Sequence, residues 1–356
     1  MANFDISKNW VILADTPVWE AATELARYIG LLRGNAGAKG QQPQINEAET
    51  ALIGSAPVII LNAPKNSPDK NGFAWRLGAD RVEISGDSAR GLWNGLFDFL
   101  AALGVKWPEP GQEELPQTAV TCGGAPDVIT YPLNKNGEHC PSNPSPQNRR
   151  RIFISEKTGK KERENLVKWA AANKYDALVF SLKEKAFWAA AGDGNSLYGI
   201  EKFALIIEAG GCDLSMLLPR RLFFLNRNLF RMESGKRTPK HHFCPTNPKT
   251  ITRIMKQAKR LFRRTLAGVT APRVFHLLPD QGYENTWCAC PACRAFNPAE
   301  QNIIALNSAA PELLSLDPMA LLSFFDFTAA NDETVNSEIV PEKNVFILSP
   351  CKMTQF

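Results

Sequence analysis

The sequence predicts an α/β protein in two parts: a small N-terminal α/β sandwich domain, then a (β/α) TIM-type barrel that is incomplete. Three observations predict it. Residues 73–116 read as strand, strand, long amphipathic helix, short strand (FAWRLG, RVEISG, DSARGLWNGLFDFLAALG, VKW). From about residue 149 onward short apolar strands alternate with helices, the pattern of parallel strands joined by right-handed crossovers. Only about five such strands can be counted, against the eight of a closed barrel.

Taken in order, Trp10–Leu13 reads as a strand and Val18–Leu32 as a helix with apolar residues at helical spacing. A Gly/Gln/Pro-rich loop spans residues 34–44, and Ala56–Asn62 (APVIILN) is a buried strand bounded by turn formers. Gly78, Ala79 and Asp80 form the hairpin turn of the next strand pair. Asp87 or Ser88 caps the helix that follows, and Gly104 ends it. A Pro-rich linker over residues 106–126 separates a domain of residues 1–125 from one of residues 126–356. In the second domain the expected strands are Arg151–Ser155, Ala177–Leu182, Asp213–Leu218, Val274–Leu278 and Val345–Leu348. The expected helices are Lys161–Lys174, Leu197–Ala209, Thr250–Leu266 and Pro318–Ala330. The terminal SPCKMTQF follows a strand with no helix to cover it, which favours truncation over an open barrel covered by a partner or a barrel with unrecognised strands. A Rossmann-like open sheet is the alternative fold, but no GxGxxG follows an early strand.

Composition narrows the function classes. A chain of 356 residues, 44% hydrophobic and 22% charged, suits a globular protein able to bury two cores. The net charge of +5 is modest and its basic residues are scattered, apart from short runs at Arg149–Arg151, Arg220–Arg221 and Lys259–Arg264, so nucleic acid is not the expected partner. The KQAKRLFRR run reads as the solvated face of a helix. No window has the apolar length of a membrane span, and MANFDISKNWVILAD lacks the form of a signal peptide, so the chain as given is expected to be cytoplasmic. Its eight cysteines are then expected as thiols or metal ligands rather than disulfides.

Four stretches carry a resemblance: SGDSARGLWNGLFDFLAALGVKW, KERENLVKWAAANKYDALVF, FRMESGKR with HHFCPTNP, and PDQG with CACPAC. Together and in this order they resemble a bacterial family of uncharacterised glycoside-hydrolase-like proteins. The first stretch is similar to the N-terminal domain that precedes the catalytic barrel in α-glucuronidases and β-hexosaminidases. The resemblance implies a carbohydrate partner, a uronic-acid or amino-sugar glycan. It also implies relatives that are often exported. Two departures accompany it. Gln281 stands before Gly282 where the family pattern carries an acidic residue, with Asp280 shifted by one position, and the chain ends before the strands that would complete the barrel.

Working groups of a β/α barrel sit just past the C-terminal ends of its strands. The loop after Val274–Leu278 is the richest, with Asp280 and, four residues on, Glu284. Glycoside hydrolysis uses one carboxylic acid to protonate the leaving oxygen and a second carboxylate as base or nucleophile, and this pair is the expected catalytic set. The competing reading makes Asp280 a turn cap and Glu284 a solvated side chain. Arg220 and Arg221 are candidate clamps for a sugar carboxylate, as a guanidinium fork matches it in bidentate fashion. Trp188 and Tyr283 are candidates for stacking on a sugar ring, with Trp287 a further aromatic near that loop, although single aromatics more often pack. His276, inside a strand, reads as a satisfied core histidine.

Cys288, Cys290 and Cys293 form CACPAC, and closely spaced thiolates suit a tetrahedral Zn²⁺ site that wants a fourth ligand. Cys244, His241, His242, His139 or Cys140 would complete it; buried thiols or a local disulfide is the alternative. Such a zinc would be structural, and carboxylate chemistry requires no cofactor. The leading expectation is thus a glycoside-hydrolase-like protein. Its rivals are a non-catalytic carbohydrate-binding protein and a zinc-stabilised scaffolding module.

Overall fold

The computed structural model describes residues 3–35, 42–47, 56–63, 71–116, 120–121, 129–132, 146, 149–192, 197–266, 274–278, 286–325, 338–348 and 353–355. In chain order the first elements are β1 (Asn3–Asp5), β2 (Val11–Ala14), α1 (Trp19–Asn35), β3 (Gln44–Asn46), β4 (Val58–Asn62), β5 (Phe73–Leu77), β6 (Arg81–Gly86), α2 (Ala89–Ala102), β7 (Val120–Thr121) and β8 (Ile129–Pro132). There follow β9 (Arg151–Phe153), α3 (Lys160–Ala172), β10 (Ala177–Ser181), α4 (Lys185–Gly192), β11 (Ile206–Asp213), β12 (Met232–Glu233) and β13 (Lys236–Arg237). The last are α5 (Pro248–Leu266), β14 (Val274–Leu278), α6 (Pro298–Leu314), β15 (Leu321–Phe325), β16 (Val345–Leu348) and β17 (Met353–Gln355). They form two compact units, residues 1–145 with 159–176 and 198–205, and residues 146–158 with 177–197 and 206–356.

The first unit centres on a five-stranded sheet of order β3-β2-β4-β6-β5, parallel except for the β5–β6 hairpin. Its turn closes at Gly78, whose N–H donates to the Arg81 carbonyl at 2.7 Å, where the sequence predicts it. Helix α2 follows β6 without slack. A Cβ on Gly86 would lie 2.0 Å from the Leu92 nitrogen, so only glycine lets the strand approach the helix this closely. Ser88 is the N-cap, its hydroxyl accepting from Gly91 N–H at 3.0 Å. Arg90, 4% exposed, crosses to the C-terminal end of α3 and donates to the carbonyls of Ala171 (3.3 Å) and Tyr175 (2.7 Å). The Ala171 carbonyl also accepts the Lys174 N–H at 3.2 Å, and Tyr175 lies just past the end of the helix. Burial pushes the Arg90 guanidinium down to about 10, which still leaves it charged at neutral pH. The SGDSARG stretch is therefore a packing and capping device.

The second unit is built on a parallel sheet of seven strands, in the order β16-β15-β14-β11-β10-β9-β17. Among the described residues no pairing joins β16 to β17, so the sheet is an incomplete TIM-type barrel. Covalent geometry shows that it must curl. Laid flat, seven strands at about 4.8 Å spacing would put the two edges roughly 29 Å apart. Yet only five residue steps separate Leu348 at the end of β16 from Met353 at the start of β17, a span of at most about 18 Å. The edges must therefore turn toward each other.

Several expectations are corrected here. Seven strands are present where about five were expected: β15 occupies part of the expected helix Pro318–Ala330, and the terminal SPCKMTQF contributes β17 beside β9. The strand expected at Asp213–Leu218 lies earlier, at Ile206–Asp213, in place of the end of an expected helix, and Leu214–Leu217 is a 3-10 turn. Helices α4 and α6 lie in stretches for which no element was expected. Apart from these corrections, segments 159–176 and 198–205 pack with the first unit. No helix among the described residues is long and apolar enough to cross a membrane.

Candidate functional site

Charged groups follow the C-terminal ends of the first two strands of the second unit, Glu156 and Lys157 past β9 and Lys183 and Glu184 past β10. Past β9, Glu156 accepts a hydrogen bond from the Ser181 hydroxyl at the end of β10. Trp188, on α4, is 4% exposed; its indole N–H donates to the Ser181 carbonyl at 2.8 Å and its ring meets Phe187 edge-on at 4.9 Å. That indole is occupied by packing. Arg220 and Arg221 open a 3-10 turn, Arg220 donating to the His241 carbonyl while Arg221 is exposed. Asp280, Tyr283 and Glu284 lie outside the described residues.

Between these ends and the strand starts sits a buried polar network that spans four strands. Glu208 on β11 is 0% exposed and takes the Arg151 Nε on β9 at 2.5 Å, Arg149 Nη1 at 3.0 Å and His276 Nε2 on β14 at 2.8 Å. His276 Nδ1 in turn lies 2.7 Å from the Ser323 hydroxyl on β15. Burial alone would raise the Glu208 carboxyl, but the Arg151 guanidinium and the His276 hydrogen bond outweigh it and hold it well below the usual carboxylate range. Burial moves His276 the other way, below its ordinary value despite Glu208, so the ring is neutral at pH 7. In that form Nε2–H donates to Glu208 and Nδ1 accepts from Ser323. The expectation of a satisfied core histidine holds. Its partner escaped the sequence reading, although a lone Glu and a lone His within apolar strands were the visible signal.

The cysteines form the tightest cluster. Cys244, Cys288, Cys290 and Cys293 place their sulfurs within 4.8 Å of one another, all four residues buried. Cys244 Sγ is 3.7 Å from both Cys290 Sγ and Cys293 Sγ. Of the residues considered for the fourth position, geometry brings in Cys244. His242 stacks on Trp287 at 3.9 Å, and His139 and Cys140 lie outside the described residues. Local structure explains the convergence. The hairpin β12–β13 turns through Ser234 and Gly235, both at positive φ, and brings Met232 N–H to 3.3 Å and Arg237 Nη1 to 3.6 Å from Cys288 Sγ. Cys244 N–H donates to Leu229, and Thr246 Oγ1 lies 3.1 Å from Cys293 Sγ. Gln301 on α6 ties the cysteine loop together. Its Oε1 accepts from Cys288 N–H at 3.0 Å and its Nε2 donates to the carbonyls of Cys288, Cys293 and Phe296. Hydrogen bonds from the Cys288 and Cys293 thiols hold the Cys244 sulfur below its ordinary range, and the hydrogen bond with Cys244 pushes the Cys288 thiol up to about 11. Beside the cluster opens a groove of about 550 Å³ lined by Arg231, Glu233, Trp287 and Arg294.

A scan against protein-family models matched none, and no curated protein is similar in sequence. Solved structures are similar in fold. A chitobiase of Flavobacterium johnsoniae superposes with a TM-score of 0.59 at 14% identity, covering 98% of this chain and 52% of that one. The GH20 exo-β-N-acetylglucosaminidase of Vibrio harveyi gives 0.53 at 13% identity over 98% and 55%. The GH20 β-N-acetylhexosaminidase of Streptomyces coelicolor gives 0.51 at 12% identity over 98% and 66%. The fold is thus glycoside-hydrolase-like, and the chain spans about half to two thirds of the length of these enzymes.

Proposed function

We propose that this protein is a glycoside-hydrolase-like protein that acts on an amino-sugar glycan. The single observation that carries the reading is the superposition of 98% of the chain on enzymes named for N-acetylglucosamine and N-acetylhexosamine substrates. It favours the amino-sugar half of the sequence expectation over the uronic-acid half, for which the Arg220–Arg221 clamp was the argument.

In this reading the chemistry belongs to the loop after β14. Asp280, two residues beyond the strand, protonates the leaving glycosidic oxygen, and Glu284 is the second carboxylate. Tyr283 between them is the stacking aromatic. A second reading, binding without hydrolysis, is favoured by Gln281 in the place of the acidic residue expected before Gly282.

Hydrolysis of N-acetylglucosamine oligomers, whose sugar leaving group must be protonated to depart, separates the two. The catalytic reading expects turnover that falls by about 10²–10⁴-fold in Asp280→Asn, the range for loss of a general acid. Turnover unchanged in that variant would remove Asp280 from the role. Absence of turnover in the parent protein, with the sugar still bound, would leave the binding reading standing.

A further inference from the structure

We infer that Cys244, Cys288, Cys290 and Cys293 form a closed tetrathiolate site for one Zn²⁺ ion, which fastens two separate loops of the second unit. The first argument is metric. Four sulfurs about 2.3 Å from a central zinc in tetrahedral array lie about 3.8 Å from one another. The two Cys244 separations of 3.7 Å meet that value, and all four sulfurs fall within 4.8 Å. A pair of disulfides does not account for this arrangement, because Cys244 is equidistant from two partners and bonded to neither. A polynuclear iron–sulfur cluster does not either, since its inorganic core would hold the cysteine sulfurs farther apart.

The second argument is the shell around the sulfurs. Four thiolates on a dication leave a net charge of −2, which outer hydrogen-bond donors must offset. Such donors are present: Met232 N–H and Arg237 Nη1 on Cys288, and the Thr246 hydroxyl within reach of both Cys293 and Cys244. The third argument is burial. The four cysteines are 0–4% exposed, which leaves no open coordination position for water or substrate, and a closed site is structural. Its effect is local. The ion joins the CPTNP loop after β13 to the CACPAC loop before α6, while the β12–β13 hairpin donates to its sulfurs. Backbone hydrogen bonds also tie these segments, Ala289 N–H to the Met232 carbonyl at 2.8 Å and Cys244 N–H to the Leu229 carbonyl at 3.0 Å, and the ion adds a stronger cross-link to them.

The test uses the full chain purified without chelator. Elemental analysis is expected to find one zinc per chain, and replacement by Co²⁺ to give the intense visible absorption of tetrahedral cobalt on thiolates. Cys244→Ser and Cys290→Ser are each expected to lose most of the zinc on dialysis and to shift that cobalt spectrum. A second measurement does not depend on the variants folding: alkylation of the native protein, mapped by mass spectrometry, is expected to spare these four cysteines until a chelator is added. Iron in place of zinc, disulfides among the four, or alkylation at the same rate with and without chelator would each overturn the assignment.

Discussion

Glu208 carries a charge into the centre of a parallel sheet, and the cost of doing so is met by Arg151, Arg149 and His276. A buried pair of this kind adds little net stability over an apolar pair, but removing one partner strands the other charge without water. Glu208→Ala is therefore expected to destabilise the second unit by about 3–5 kcal/mol, read as a lowered denaturant midpoint. A loss under about 1 kcal/mol, the size of an exposed ion pair, would mean that Arg151 reaches solvent. The same residues set the acid sensitivity. His276 is depressed in the folded state, so the unfolded chain takes up its proton first, and stability begins to fall as pH drops below about 6.5. Glu208 is depressed as well, and its contribution, present above the unfolded value of about 4.3, is lost as pH falls further. Thermal melts from neutral to pH 4 are expected to show a falling Tm, with His276→Gln removing the upper part of the decline. A Tm that is flat over that interval would contradict the assigned protonation states.

At the scale of elements, strands with continuous apolar runs were legible. Ala177–Ser181, Val274–Leu278 and Val345–Leu348 stand where β-branched and aromatic residues predict them. Strand β11 was not, because Glu208 and the Gly210–Gly211 pair look like a helix end and a turn. In the fold both are used. A Cβ on Gly210 would lie 2.4 Å from the His276 Cβ, and Gly211 at φ +68 takes up the register shift between β11 and β14. Strand β15 failed for a different reason: ALLSFFDF is apolar at both periods, and only its parallel pairing with β14 and β16 decides for a strand. Helix α6 had a readable start. Asn297 accepts from Glu300 N–H and Glu300 reaches back to Asn297 N–H, the capping box written as N-P-A-E, and Pro311 inside the helix hid the rest. The cysteine site was partly legible: CACPAC named three members, whereas Cys244 comes from a loop some 44 residues earlier that only the fold brings near.

For the whole molecule, the sequence predicted a sheet domain followed by an incomplete barrel, and both kinds of sheet are present. Segments 159–176 and 198–205 join the first unit, because Arg90 and Asp98 of α2 bind the backbone and Lys174 at the end of α3. The proposed amino-sugar function entails a preference for N-acetylglucosamine oligomers over glucose oligomers. Calorimetric titration of the purified chain with N-acetylglucosamine oligomers, and in parallel with glucose oligomers of equal length, tests it. Saturable binding of the acetylated series, weaker by at least about tenfold (roughly 1.4 kcal/mol) for the glucose series, is the predicted result. Equal affinity for both, or heat from neither, would contradict the account.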